Sequence, residues 1–352
     1  MSHPMKRWMG GIAICLLLHV SAEAREVSVR VLGLFHSYSV LITPSPGHVL
    51  ECAENGRRWT IASPYLVRVG PSSPALLLSG RAGDGAPDAV STMHCDDGQS
   101  RASEFIVAVP DKIARRYRGK LRVERLGREL LIIVELELET AVASVVAAES
   151  GPDTPLEALK AQAVAARSFL AAGKGRHRGF DFCDTTHCQF LREAPQASSA
   201  AALATAATSG LVLAYQDEVF AAMYSASCGG KTHTLDELGI AVRDYPYFSV
   251  VCDYCHRHPE RWMVSLEAHD AAELKGTEAS RLKVARKLGW QTFPSNSYET
   301  QREGERVLVQ GTGKGHGIGL CQRGAADMAR QGASFQQILE HYYPNTHVKQ
   351  LL

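Results

Sequence analysis

Hydrophobic and polar positions alternate with a period of two from residue 25 onward. Val27, Val29 and Val31 share one side and Ser28 and Arg30 the other, the pattern of a half-buried strand. Residues 38–42 alternate less strictly, and Gly- and Pro-containing stretches such as 43–47 mark turns. Residues 120–123 and 130–134 read as two strands joined through Leu126-Gly127-Arg128, a hairpin. Glu135, Glu137 and Glu139 then alternate with Leu136 and Leu138, which sets three carboxylates on one solvated strand face. Between Glu139 and Glu149 the pattern allows either the end of the strand or the start of a helix.

The period changes after Gly151-Pro152. Thr154-Pro155-Leu156-Glu157 reads as a capping box with proline at the first helical position. Leu156, Leu159, Ala163, Ala166 and Leu170 follow at helical spacing as one apolar stripe, and Gly173 stops the helix. Residues 197–208, alanine-rich and free of Pro and Gly, predict a second helix between Pro195 and Gly210. Residues 211–213 and 219–224 predict a hairpin around Gln216-Asp217. Further on, 266–288 reads as helical with a polar face, 307–310 as a strand, and 322–331 and 335–343 as helices. The fold class is therefore mixed α+β. A β-rich region spans 25–116, and a helix-containing core spans 117–352.

Composition sharpens this picture in two places. At 352 residues, 45% hydrophobic and 21% charged, the chain suffices for one large globular domain or two smaller ones. A formal net charge of +1 argues against broad capture of nucleic acid or anionic membrane, so no nucleic-acid partner is expected. Residues 1–24 have the form of a secretory signal: Lys6 and Arg7, a short apolar run over 9–20, and Ala22-Glu23-Ala24 as a small-x-small cleavage site. An uncleaved N-terminal anchor is the other reading. No later segment is long and apolar enough to cross a membrane, so an exported protein of the periplasm or cell envelope is expected. Once Cys15 is removed, eight cysteines remain, which favours disulfides in an oxidising compartment. Cys52 with Cys95 is the simplest pair.

Several side chains could carry chemistry. Glu149 ends the apolar run 145–148, surroundings that could raise a carboxylic acid's pKa toward neutrality. On its own, such a residue more often lies at a surface or caps an element. His177, Cys183, His187 and Cys188 supply two imidazoles and two thiols, a tetrahedral zinc set, with a Cys183–Cys188 disulfide as the competing reading. Gly229 and Gly230 would let backbone approach a ligand, with Ser225, Ser227 and Lys231 as nearby donors. The glycine run around His316 lacks the order of a phosphate loop, and it suits a floor along an extended ligand, with His316 and Gln322 as donors. Cys252-x-x-Cys255 lacks a thioredoxin-like context and reads as a local structural bridge.

The segments EALKAQAVAARSFL, FDFCDTTHCQ, SASCGGKTHT and GHGIGLCQRGAADMA…ILEHYYPNT resemble, in order, those of the SpoIID/LytB family over roughly 117–348. That family includes peptidoglycan lytic transglycosylases and modifiers of cell-wall amidases. The resemblance implies a SpoIID-like catalytic domain over 117–352 with Glu149 as its single catalytic carboxylate. It further implies Arg167 and Tyr247 at the substrate, where Gln162, Ser225, Ser227, Lys231, His316 and Gln322 are also expected. At His177, Cys183, His187 and Cys188 it implies one structural zinc, with no organic cofactor. Ser249 stands where the family commonly has lysine. No thiol chemistry is implied at Cys321, for which a disulfide, with Cys228 as one partner, is expected over a Cys–His nucleophile. The implied partners are peptidoglycan glycan strands and, on the LytB side, a cell-wall amidase stimulated without catalysis.

Overall fold

The computed structural model describes residues 25–70, 75–82, 85–240, 247–289 and 291–351. The expected export signal, residues 1–24, lies outside the described residues. Six antiparallel strands close into a ring: Ser39–Pro44, Leu50–Glu54, Arg57–Val69, Thr92–Asp96, Ser103–Val109 and Ile113–Leu126. The alternation seen in the sequence survives in space. Along Ser103–Val109 every second side chain is buried, and Phe105 and Val107 pack inside with Val40, Ile42, Trp59 and Val67. Cys52 and Cys95 face each other across two paired strands and form the expected disulfide, with an S–S distance of 2.01 Å.

Ile113–Leu126 is the strand that joins this ring to the rest. Its first half pairs with Ser103–Val109, and its second half also pairs with Glu129–Glu137, the hairpin partner expected from the sequence. Glu129–Glu137 pairs onward with Glu26–Arg30. The boundary drawn between residues 116 and 117 falls inside this one strand, so the N-terminal strands and the helical core share a sheet.

The chain passes from Glu137 straight into helix α1 (Leu138–Glu149), so Glu139 sits in a helical first turn rather than on a solvated strand face. Helix α2 (Leu156–Ala172) is the partition of the molecule. Its Leu159, Ala163, Ala166 and Leu170 join the core that continues from the barrel. Its Ala158, Ala161, Val164 and Ala165 join a second core with Leu213, Ile318 and Tyr343. A helix buried on both sides needs apolar residues beyond one stripe, which these alanines provide. Leu156, the first member of the expected stripe, is 45% exposed.

The expected capping box does not form. Pro155 is the cap residue rather than the first helical one, the Thr154 hydroxyl donates to the Gly151 carbonyl, and Glu157 accepts from the Phe335 amide. Gly173 does end the helix.

Helix α3 (Ala200–Ala207) packs on α1 and α2, capped by Ser199. The hairpin after it turns at Gln216 and Asp217, both with positive φ. Helix α4 (Asp253–Arg257) is short. A small lobe then departs from the sequence reading. Residues 261–267 are a strand, α5 (Ala268–Ala271) is a single turn, and α6 (Glu278–Leu288) begins only after Gly276, whose φ is +69°. Thr277 restarts the helix with a true capping box. The strands Arg261–Glu267, Arg306–Thr312 and Ser297–Glu303 and helix α6 enclose a third core around Leu266, Phe293 and Val309. Helices α7 (Gln322–Arg330) and α8 (Phe335–Tyr342) return to pack against α2.

Candidate functional site

Glu149 is the last residue of α1, where the helix presents its negative end. Val145 and Val146 behind it are fully buried. Its Oε1 accepts a hydrogen bond from the Phe190 amide at 2.7 Å. Burial pushes the Glu149 carboxyl above its ordinary value, opposed by that amide and by the Arg192 charge. Arg192 itself stacks 3.4 Å from the centre of the Phe190 ring. Tyr224 is half-buried with its hydroxyl enclosed, and burial first and then the Glu149 charge push its phenol well up. Glu149 is thus a carboxyl with a raised pKa and one oxygen held by an amide.

It lines a cleft of about 360 Å³. Gln162, Ala226, Tyr254, Gln322 and Arg323 contribute to the same cleft. Gln322 Nε2 donates to the Glu149 carbonyl at 3.2 Å and lies 3.5 Å from Gln162 Oε1. The buried Gln162 Nε2 has no protein acceptor among the described residues, which leaves a donor for a ligand group. The other carboxylate on the lining, Asp153, is exposed. Ser225, just before Ala226 of the lining, pairs with Cys321, and its buried hydroxyl is likewise unpartnered among the described residues.

Other residues expected at the substrate lie elsewhere. Arg167, expected in the groove, is fully buried between α1 and α2. Its Nε and Nη2 each donate at 2.7 Å to the two Glu139 oxygens, and Nη1 donates to the Leu211 carbonyl at 3.0 Å. A guanidinium with its donors taken up inside the fold has none for a sugar. Tyr247, likewise expected at the substrate, also lies away from the cleft. It is buried against Phe220 and Tyr343, and its hydroxyl donates to the Ala221 carbonyl and accepts from the Met223 amide. The Ser227 hydroxyl turns inward, 3.5 Å from Cys255 Sγ. Lys231 is exposed with Nζ 4.0 Å from Glu237. His316 accepts from the Ile318 amide at its Nδ1, and burial pushes its pKa down to about 4, so the ring is neutral at neutral pH.

The His/Cys quartet does come together. The ligand atoms of His177, Cys183, His187 and Cys188 lie within 4.8 Å of one another. His177 Nε2 is 3.2 Å from Cys188 Sγ, and His187 Nδ1 is 3.8 Å from Cys183 Sγ and 3.7 Å from Cys188 Sγ. A tetrahedral zinc ion would space such ligands roughly 3.5–3.8 Å apart, so the donor set fits. Cys183 and Cys188 are free thiols here. Cys183, His187 and Cys188 lie in the loop that runs from residue 183, paired to Arg30, to Phe190, the donor to Glu149.

Sequence reasoning missed Phe190, Arg192 and Tyr224. Phe190 acts through its backbone, which no side-chain motif can signal. It also missed a meeting of Cys228, Cys252, Cys255 and Cys321. The expected Cys252–Cys255 bridge and the Cys228–Cys321 disulfide are both absent, and all four are free, buried thiols.

The family model for the Stage II sporulation protein, SpoIID, matches residues 127–215, the stretch from the hairpin through α3 that includes Glu149 and the quartet. Over that stretch the chain is similar to the SpoIID family. It is 24% identical over 265 residues to Stage II sporulation protein D of Bacillus subtilis, covering 62% of this chain and 76% of that protein. An uncharacterized protein of Brachyspira hyodysenteriae is 28% identical over 262 residues, 64% of this chain and 70% of its own length. A 59-residue stretch is 37% identical to the amidase enhancer of B. subtilis, covering 17% of this chain but 8% of that protein. No helix among the described residues is long and apolar enough to cross a membrane.

Proposed function

We propose that this chain is an exported cell-envelope protein of the SpoIID family that acts on peptidoglycan as a lytic transglycosylase, with Glu149 as its single acid/base. The observation that carries the reading is a carboxyl of raised pKa on the lining of a cleft, with Phe190 holding one oxygen. Protonated Glu149 gives its proton to the departing GlcNAc O4 as the MurNAc C1–O4 bond breaks. The C6 hydroxyl of the same MurNAc then bonds to C1, and its proton passes to the Glu149 carboxylate. The product is a 1,6-anhydro-MurNAc end, and no water or second carboxylate is consumed. Gln162, Ser225 and Gln322 would hold hydroxyls or acetamido groups along the wall. One zinc on His177, Cys183, His187 and Cys188 would serve structurally, since four protein ligands close the coordination shell.

The test is digestion of peptide-free glycan strands followed by mass spectrometry. The wild type should form 1,6-anhydro ends, and Glu149→Gln should form none. Asp153→Asn should leave the product unchanged, because a hydrolytic pair would need that second carboxylate. Anhydro product persisting in Glu149→Gln would sink the assignment. The stretch similar to an amidase enhancer supports a second reading, a non-catalytic binder that stimulates a cell-wall amidase. Intact amidase stimulation with no cleavage of any glycan would favour it.

A further inference from the structure

We propose that Cys228, Cys252, Cys255 and Cys321 form a second metal site, which binds one zinc ion through four thiolates. The four sulfurs lie within 4.8 Å of one another and all four residues are buried. Three separate pieces of chain deliver them. Cys228 follows the Tyr224–Ser225 strand, Cys252 caps α4 and Cys255 lies within it, and Cys321 is the residue before α7.

The spacing rejects disulfides and suits one ion. Cys255 Sγ and Cys321 Sγ are 3.5 Å apart, against about 2.0 Å for a disulfide. A tetrahedral zinc tetrathiolate sets its sulfurs roughly 3.8 Å apart. A polynuclear iron–sulfur cluster places several irons and sulfides between its thiolates and needs a wider opening than this cluster has.

The surroundings are those of bound thiolates. The Cys228 amide donates to Cys321 Sγ at 3.4 Å, the Tyr342 hydroxyl lies 3.3 Å from Cys252 Sγ, and the Ser227 hydroxyl lies 3.5 Å from Cys255 Sγ. Donors placed around ligand sulfurs orient them and spread their charge. Gly324 completes the fit, since a Cβ there would stand 2.5 Å from Cys252 Sγ. As four Zn–S bonds form, the thiol protons leave to solvent.

The ion would fasten one wall of the cleft. Cys321 precedes Gln322, which donates to the Glu149 carbonyl, and Tyr254 between the α4 cysteines lines the same cleft. The inference stands on the sulfurs alone and is independent of what Glu149 does.

Metal analysis of the purified protein tests it. The wild type should hold two zinc ions per chain, one for each cluster. Cys255→Ser should lose one and keep the other, and His187→Ala should do the converse. If Cys255→Ser fails to fold, cadmium exchanged into the wild type should give two ¹¹³Cd resonances, one of them at the position of an all-thiolate site. A single metal ion per chain that disappears in His187→Ala would overturn the proposal. So would mass-spectrometric detection of disulfides among these four cysteines, or iron in place of zinc.

Discussion

Arg167 and Glu139 are joined by two parallel hydrogen bonds of 2.7 Å, the guanidinium wholly buried and the carboxylate 40% exposed. The pair ties the first turn of α1 to the middle of α2, and Glu139 also accepts from the Gly210 amide at 3.2 Å. Arg167→Ala takes a buried side chain out of α2 and leaves the half-exposed Glu139 carboxylate without its partner. Arg167→Ala should therefore cost on the order of 3 kcal/mol, the lower end for buried pairs because Glu139 keeps some water. Urea unfolding measures it. Arg167→Lys should recover only part, since an ammonium cannot reproduce the fork. If Arg167→Ala kept its midpoint and only raised KM for glycan, Arg167 would be a substrate residue after all.

Glu149 carries a pH prediction with a definite sign. Its folded-state pKa lies above the unfolded value, so the folded chain holds a proton that the unfolded chain releases. Stability from this group is full below the unfolded value and falls as pH rises through the folded one. Compared with Glu149→Gln, which stays neutral, the wild type should lose unfolding free energy from mildly acidic to neutral pH. Paired urea titrations across that range measure the gap. A wild-type minus Glu149→Gln difference that is flat or rises with pH would mean the carboxyl is not held in a poorly hydrated place. The rate of glycan cleavage should fall along the same alkaline arm, as the acid form is titrated away.

These two residues also mark the limit of what the chain discloses before folding. Strand alternation disclosed the hairpin around Gly127, and helical spacing disclosed α2, α7 and α8, because each depends on neighbours in sequence. Ring closure by Ile113–Leu126 depends on pairings far apart in the chain, which periodicity does not encode. Alternating Glu135, Glu137 and Glu139 hid the start of α1, because a strand and a helix meet there without a turn residue. The apolar run behind Glu149 and the meeting of the His/Cys quartet were legible, because each involves residues close in sequence. The burial of Arg167 was not, since its partner lies 28 residues away. The cluster around Cys321 was not either, since it gathers three distant segments.

The Cys52–Cys95 disulfide closes a separation of 43 residues across neighbouring barrel strands. Constraining a loop of that size in the unfolded chain is worth about 4 kcal/mol in the chain-entropy model. Replacing both cysteines with serine should lower stability by that order while leaving the cleft chemistry intact in whatever fraction stays folded. The Tm by calorimetry and the cleavage rate per folded molecule separate the two effects. A rate that falls with no change in Tm would place this bridge in the function of the cleft rather than in the stability of the barrel.

Gln322 lies where α7 meets the end of α1, and its amide is the one side-chain donor to the Glu149 carbonyl among the described residues. Truncation to alanine removes that bond and opens the contact with Gln162, while leaving the α7 backbone in place. One half-buried hydrogen bond is worth about 1 kcal/mol, roughly a fivefold effect. Gln322→Ala should therefore lower unfolding free energy by no more than about 1 kcal/mol and lower kcat by up to about the same factor, because Glu149 is less well held. A loss confined to KM would instead mean that Gln322 acts only through its hold on substrate and not through Glu149. An unchanged rate on peptide-free glycan, at unchanged stability, would remove this wall of the cleft from the reaction altogether.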